Sequence, residues 1–148
     1  MKTLERDPLV LLSEVAHAIR TLADARAREH GMTRAQWMIL VRLDRQPGMS
    51  QNELASLIEV EPITVGRLVD RLEARAMVER RPDPADRRIW RLHLTPEATP
   101  MLKEIAKARA ELNAMMIADI GKKDVELFVD SLLQMKANMM DTRAKKTA

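Results

Sequence analysis

Apolar residues recur at helical spacing through most of the chain, with one interruption by two short segments that suit strands. Between residues 62 and 75 the apolar positions form one stripe, made of Val65, Leu68, Val69 and Leu72. The opposite face of this predicted helix carries Ile63, Thr64, Arg67, Asp70 and Arg71. A shorter helix is predicted before it, because Ser50 and Glu53 form a capping box. Two short helices joined by a tight turn, the second with arginines near its start, are typical of a DNA-reading helix-turn-helix.

Two short segments, residues 77–81 and 89–94, suit strands. In the second segment every other residue is apolar, so that one face of the strand can lie on the core. The sequence PDPADRR connects them, with prolines that exclude ladder pairing and aspartates suited to a turn. A hairpin with an arginine-bearing tip after a recognition helix is a wing.

Four further helices are predicted on either side of this segment. Asp7 caps the first, which ends at Gly31, and Thr33 with Gln36 caps a helix to about residue 46. Pro96 begins a long helix that Gly121 breaks, and a final helix runs from about residue 123 to 143. The apolar faces of the terminal helices are wider than a small winged domain can cover, so a partner is implied. A second copy is expected, because two-fold symmetry also matches palindromic DNA.

Composition limits the cell compartments in which we expect the protein and the kinds of site that it can contain. The chain has 148 residues, which fits one domain, and 46% hydrophobic residues are enough for a core. The absence of cysteine excludes disulfides, thiolate zinc sites and cysteine-based redox sensing. No apolar run approaches the roughly 20 residues of a membrane span, and no signal peptide is recognisable. We therefore expect a soluble, cytoplasmic protein without membrane contact.

The net charge of +3 is concentrated on the segment with the predicted helix and wing. Residues 62–91 hold eight arginines and five acids, whereas the remainder holds 17 basic and 17 acidic residues. Arginine can bind a guanine edge or a phosphate through two parallel hydrogen bonds. A genome that favours arginine codons would produce part of the same bias, so the charge only supports the DNA-binding interpretation.

Nothing in the sequence indicates an enzyme. The three histidines, His17, His30 and His93, lie on different predicted elements and have no metal-ligand spacing. The four glycines form no phosphate-binding loop, and no nucleophile elbow is present. We therefore predict no catalytic site, no metal site and no cofactor.

The run DPADRR followed by LHLT, together with LVDRLEARAMVERR, closely resembles the MarR family of winged helix-turn-helix regulators. The segment LTPEATPML is similar to the SlyA-like subgroup of that family. The resemblance implies a mainly α fold with a small β-wing, as one MarR-like domain over residues 1–148. Residues 33–95 would form the winged helix-turn-helix DNA-binding lobe, and residues 7–30 and 96–145 the N- and C-terminal dimerisation helices.

The resemblance also implies a function. We expect a homodimeric, ligand-responsive transcription regulator, most often a repressor, that binds a pseudo-palindromic operator in double-stranded DNA. The alternative, from a different class, is a winged-helix protein-interaction module that does not read DNA.

Family resemblance assigns the expected DNA-contacting residues by position. Ile63, Thr64 and Arg67 would enter the major groove, and Arg71 would meet phosphate. Arg88 corresponds to the wing arginine of the minor groove, Asp86 to the acid that holds it, and Arg87 would contact the DNA backbone. The alternative for Arg67 and Arg71 is a solvated face paired with Asp70 or Glu73.

Two positions on this helix need an explanation. Gly66 is unusual in a helix interior, and close approach to the DNA backbone would justify it. Ala76 departs from the glycine that the family usually has at the end of this helix.

A ligand site is the last expectation. Trp37 corresponds to a tryptophan at the aromatic-carboxylate pocket of SlyA-like members, and His17 and Arg20 flank the apolar seam of the first helix. A small aromatic carboxylate would stack on the indole and bind Arg20. The alternative is that Trp37 belongs to the core, that Arg20 pairs with Asp24, and that His17 is solvated.

Overall fold

A computed structural model describes residues 4–147, which form six α-helices, one 3-10 turn and a three-stranded sheet. In chain order these are α1 Pro8–Glu29, α2 Arg34–Arg45, β1 Met49–Ser50, α3 Gln51–Ile58, α4 Pro62–Ala74, β2 Val78–Pro82, β3 Trp90–Leu94, the 3-10 turn Pro96–Ala98, α5 Thr99–Met116 and α6 Lys122–Thr147. The predicted fold class, mainly α with a small β-wing, is confirmed.

Three of the predicted helix starts are confirmed by their caps. The Asp7 carboxylate accepts hydrogen bonds from the backbone N–H groups of Leu9 and Val10, at 2.8 and 3.2 Å. Thr33 with Gln36, and Ser50 with Glu53, form reciprocal capping boxes at the starts of α2 and α3. Each cap satisfies backbone donors that the first turn of a helix leaves without partners. One start differs, because Pro96 opens a short 3-10 turn before α5 rather than α5 itself.

The sheet is antiparallel, in the order β1-β3-β2. Strands β2 and β3 form the wing hairpin, and β1 pairs with the other side of β3. Met49 pairs with Leu92, and Arg80 pairs with the same Leu92 from the other side. The expectation that both hairpin prolines lie outside the ladder is wrong for Pro82, which pairs with Trp90 as the last residue of β2. Proline is tolerated there because β2 is an edge strand.

The chain divides into two compact units, residues 1–112 and 113–148. In the first unit α2, α3, α4 and the sheet enclose a continuous core, to which α5 adds Met101 and Ile105. Its fully buried large side chains are Ile39, Leu40, Leu43, Leu54, Val65, Val69, Leu72, Val78 and Leu92. Most of α1 does not join this core, since Leu12, Val15, Ile19 and Leu22 are exposed.

The second unit contains the end of α5 and the whole of α6. As predicted, the chain leaves the helix before Gly121 and starts a new one directly after it. Exposed apolar side chains also run along α6, including Leu127, Phe128, Leu133, Met135 and Met139. In the described part of the chain, no helix is both long and apolar enough to cross a membrane.

Candidate nucleic-acid interface

Helix α4 separates a buried face from an exposed face. Pro62 occupies the first helical position, where its missing N–H costs nothing. The predicted stripe Val65, Leu68, Val69 and Leu72 is buried in the core. The four residues expected to meet DNA from this helix, Ile63, Thr64, Arg67 and Arg71, are all exposed. The structure therefore brings them to one solvent-facing surface, and their contact with DNA stays a prediction.

Arg80 on β2 joins the wing to α4. Its guanidinium binds the Asp70 carboxylate at 2.7 Å, the Glu73 carboxylate, and the Gly66 carbonyl at 3.3 Å. The two acids that were the alternative partners of Arg67 and Arg71 are thus bound by another arginine. Among the described side chains, Arg67 and Arg71 form no ion pair. Both remain available to a negatively charged partner.

Gly66 faces α3. A Cβ atom at this position would lie 2.9 Å from Nε2 of Gln51, 3.2 Å from its Oε1 and 3.3 Å from its Cδ. That same Nε2 donates a 2.9 Å hydrogen bond to the carbonyl of Pro62. Glycine therefore makes room for a side-chain bond between the two helices of the helix-turn-helix. Packing against Gln51 is therefore a second explanation for this residue, and the close approach of the DNA backbone stays a prediction.

The wing tip is shaped by the carboxylate of Asp83. Its Oδ1 accepts the backbone N–H groups of Ala85 and Asp86, at 2.8 and 3.0 Å. The Asp83 backbone N–H in turn donates to the carbonyl of Ile89 at 2.9 Å. An aspartate that binds the backbone two and three residues ahead folds a tight local turn. This turn carries Asp86, Arg87 and Arg88.

Asp86 holds Arg88 in a two-pronged ion pair, as predicted. Nε of Arg88 donates to Oδ1 of Asp86 and Nη2 donates to Oδ2, both at 3.0 Å. The hydrogen bond from Arg88 lowers the pKa of Asp86, and the same bond raises the pKa of Arg88. The Arg88 side chain is nevertheless 90% exposed, whereas that of Asp86 is 33% exposed. Arg88 is thus held by one edge of its guanidinium and remains open to solvent, and Arg87 beside it is also exposed.

Two hairpin arginines with structural contacts were not singled out from the sequence. Arg80 lies opposite Leu92 and on the same face, so strand alternation could have indicated an inward arginine that needs acidic partners. Arg91 binds Asp83 at 2.7 Å and Glu53 at 3.3 Å. No local pattern signals the bond to Glu53, which is 38 residues away.

The three residues expected to bind a ligand lie in different surroundings. Trp37 is buried in the core with its ring centroid 5.8 Å from that of His30. Its Nε1 is buried and has no hydrogen-bond partner in the described part of the chain. His17 and Arg20 are exposed on α1. The expected alternative partner of Arg20, Asp24, instead lies 3.7 Å from Nε of Arg34.

The side chains that the structure describes form no candidate metal site. No group of three or more histidine, aspartate or glutamate residues there could hold a metal ion.

Comparisons with known proteins agree with this geometry. A model of the MarR family matches residues 30–89, which include α2, α3, α4 and the wing turn. The crystal structure of MarR is 26% identical, with a TM-score of 0.83, over 94% of this chain and 95% of MarR. The transcriptional regulator PA3341 is 31% identical, with a TM-score of 0.76, over 88% of this chain and 96% of that protein.

One similar structure contains DNA. It is a MarR family regulator from Listeria monocytogenes complexed with 26mer DNA. It is 20% identical, with a TM-score of 0.77, over 92% of this chain and 91% of that protein, a likeness that shows the fold alone. The family match, together with the two structures of higher sequence identity, MarR and PA3341, also shows the family. The chain belongs to the MarR family of winged helix-turn-helix transcriptional regulators.

Proposed function

We propose that this protein is a ligand-responsive repressor that binds a pseudo-palindromic DNA operator as a homodimer. The observation that carries the proposal is the Asp86–Arg88 pair at the wing tip. An acid on a DNA-facing surface repels phosphate, so its presence there is explained if it orients an arginine that DNA contacts. The two-pronged bond fixes the guanidinium while leaving its outer edge in solvent.

Helix α4 and the wing supply the two parts of a DNA contact. Thr64 and Arg67 can reach base edges in the major groove, where arginine binds guanine O6 and N7. Arg71 lies one turn further along α4 and suits a phosphate contact. Arg88 suits the minor groove, whose negative potential attracts arginine. The Listeria monocytogenes structure of the same fold, which contains 26mer DNA, supports DNA binding by this fold.

The exposed apolar stripe on α1 supports a homodimer. Its four members, Leu12, Val15, Ile19 and Leu22, repeat at spacings of three and four residues, as in a helix–helix seam. Light scattering should give twice the chain mass for the wild type, and Ile19→Glu should shift the population towards the monomer. A matched control, Thr21→Glu, adds the same charge to the same helix away from the seam. A wild-type monomer at micromolar concentration would reject the dimer.

DNA binding is tested with the upstream region of the protein's own gene. In a mobility-shift titration at fixed salt we expect specific binding, and footprinting should show two half-sites about 10 base pairs apart, centre to centre. Asp86→Ala should weaken binding by a few-fold, because it frees the Arg88 rotamers. Glu14→Ala on α1, which also removes one negative charge from an exposed position, serves as the charge control. If the protein binds this region no better than random DNA, a non-DNA interaction module becomes the better assignment.

We propose an aromatic carboxylate as the effector, with Arg20 as its carboxylate partner. In the described part of the chain Arg20 forms no ion pair, and the indole Nε1 of Trp37 has no hydrogen-bond partner. Because Trp37 is buried, the ligand must bind a rearranged conformation, and it acts as a switch when that conformation binds DNA poorly. Calorimetry with salicylate-like and cinnamate-like acids should detect binding that Arg20→Ala and His17→Ala weaken. Equal binding by these variants would reject this site.

A further inference from the structure

The guanidinium of Arg91 on β3 connects three parts of the DNA-binding lobe. Its Nε donates to Oδ2 of Asp83 in the wing turn at 2.7 Å. Its Nη1 lies 3.3 Å from both carboxylate oxygens of Glu53 in the first turn of α3, and 3.5 Å from the carbonyl of Gly48. The wing turn and the start of the helix-turn-helix are therefore joined through one side chain.

Both acids bound by Arg91 also hold local backbone structure. Asp83 uses its other oxygen, Oδ1, to accept the N–H groups of Ala85 and Asp86. Glu53 accepts the N–H of Ser50 as part of the α3 capping box, at 2.9 Å. The bond to Arg91 is the largest cause of the lowered pKa of Asp83, and the Ser50 N–H is the largest cause of the lowered pKa of Glu53. Both acids are therefore charged at neutral pH.

The hairpin needs such a connection near its tip. Its last ladder pair is Pro82 with Trp90, and Pro82 has no N–H to donate. Beyond this pair, the backbone bond from Asp83 to Ile89 closes the turn. A two-stranded ribbon is weakly held on its own in water. An anchor from the turn to α3 therefore restricts where the Asp86–Arg88 pair lies relative to the recognition helix.

We propose that Arg91 is a positioning residue for the DNA-binding wing, which fixes the turn that carries Asp86 and Arg88 to the start of α3. The inference rests on the proposed DNA contact by Arg88. Arg91 itself is only 29% exposed, with its Nε and Nη1 donors directed at protein acceptors, whereas Arg88 is 90% exposed. Its effect on DNA affinity is therefore indirect.

The chain offers a matched control directly across the hairpin. Arg81 pairs with Arg91 in the strand register, so that both lie on the same face of the sheet. Arg81 binds Glu79 within its own strand and is 57% exposed. Arg81→Ala therefore removes the same charge from the same face without touching the wing turn.

The first experiment needs no DNA. Amide hydrogen exchange of Ala85 and Asp86, followed by NMR on the full chain, should be at least five-fold faster in Arg91→Ala than in the wild type. Arg81→Ala should exchange at these amides within two-fold of the wild type. Arg91→Lys, which keeps the charge but cannot bind both acids as a planar fork, should fall between them. Unchanged exchange in Arg91→Ala would overturn the proposal.

The second experiment is a double-mutant cycle in operator binding at fixed salt. Arg91→Ala should weaken binding at least five-fold when Arg88 is present, but less than two-fold in an Arg88→Ala background. Arg81→Ala should weaken binding less than two-fold. An equal loss of affinity with and without Arg88, or an equal loss in Arg81→Ala, would reject the positioning role in favour of direct contact or net charge.

Two readouts keep the failures apart. If Arg88→Ala alone binds DNA as the wild type does, the wing contact of the proposed function is rejected, and the inference that rests on it fails too. If Arg88→Ala weakens binding but the cycle is additive, the inference alone fails. Thermal unfolding of Arg91→Ala and Arg91→Lys shows whether each variant is folded. If Arg91→Ala is not folded, the double-mutant cycle is measured with Arg91→Lys instead.

Discussion

Replacement of Gly66 by alanine has two opposing effects on the free energy of unfolding. It raises the helix propensity of α4, and it removes a hydrogen bond between α3 and α4. Alanine is favoured over glycine in a helix interior by about 1 kcal/mol. The new Cβ, however, would lie 2.9 Å from Nε2 of Gln51, so the amide must move away and lose its bond to the Pro62 carbonyl. A net protein hydrogen bond contributes about 0.5–1.5 kcal/mol. The two effects nearly cancel, and we expect Gly66→Ala to change the free energy of unfolding by less than about 0.5 kcal/mol.

A second substitution, Gln51→Ala, separates the two opposing effects on the free energy of unfolding. In a Gln51→Ala background the bond is already absent and the space beside Gly66 is open. Gly66→Ala should there stabilise the protein by about 1 kcal/mol, which makes the coupling energy between the two positions roughly 1 kcal/mol. Urea unfolding of the four proteins, at one salt and one protein concentration, measures the cycle. Full stabilisation by Gly66→Ala alone would show that the Gln51 side chain has no energetic role here.

The same variant distinguishes packing from DNA approach at this position. If Gly66 serves only the packing of α3 on α4, Gly66→Ala should bind operator DNA within about two-fold of the wild type, because the added methyl group would lie against Gln51 rather than against DNA. A loss of affinity of ten-fold or more with unchanged unfolding free energy would instead mean that the DNA backbone comes close to Gly66. Titration by fluorescence anisotropy at fixed salt provides the affinity.

Three further predictions concern the interface and its support. Arg88→Ala should weaken operator binding at least ten-fold in the same titration while light scattering shows an unchanged assembly, and unchanged affinity would refute the wing contact. Arg67→Ala should relax base preference at one position of each half-site, whereas Arg71→Ala should weaken all sequences alike and reduce the salt slope by about one unit for each phosphate that is no longer neutralised; the opposite pattern would exchange their roles. Ala76 has a φ of 57°, a conformation that glycine adopts without strain, so Ala76→Gly should raise the free energy of unfolding by about 0.5–1 kcal/mol in urea. A lower free energy of unfolding would show that the alanine methyl group contributes more than the strain costs.

Local sequence was enough to determine where most elements begin and what kind they are. Ser50 with Glu53 and Thr33 with Gln36 are three residues apart, so the capping boxes depend on nothing beyond one helical turn. The bond between Asp86 and Arg88 likewise joins residues two positions apart. For the same reason the wing motif was recognisable from six consecutive residues. The family assignment, which rests on such local patterns, was also within reach of the sequence.

Tertiary structure decided which arginines are free and which are bound. Eight arginines lie between residues 62 and 91, and their local sequence does not identify the acids on other elements that bind Arg80 and Arg91. Arg80 finds Asp70 and Glu73 because the strand register turns it towards α4, and Arg91 finds Glu53 across 38 residues. These bonds leave Arg67 and Arg71 facing solvent.

Tertiary packing also decided the environments of Gly66 and Trp37. Gly66 lies against Gln51 of a neighbouring helix, and Trp37 lies in the core beside His30. The sequence suggested a DNA approach for the glycine and a ligand contact for the tryptophan, because neither neighbour lies within a few residues. Partners brought together by register and helix packing depend on the whole fold. Caps and turns depend on a few consecutive residues, and for that reason they could be determined from the sequence alone.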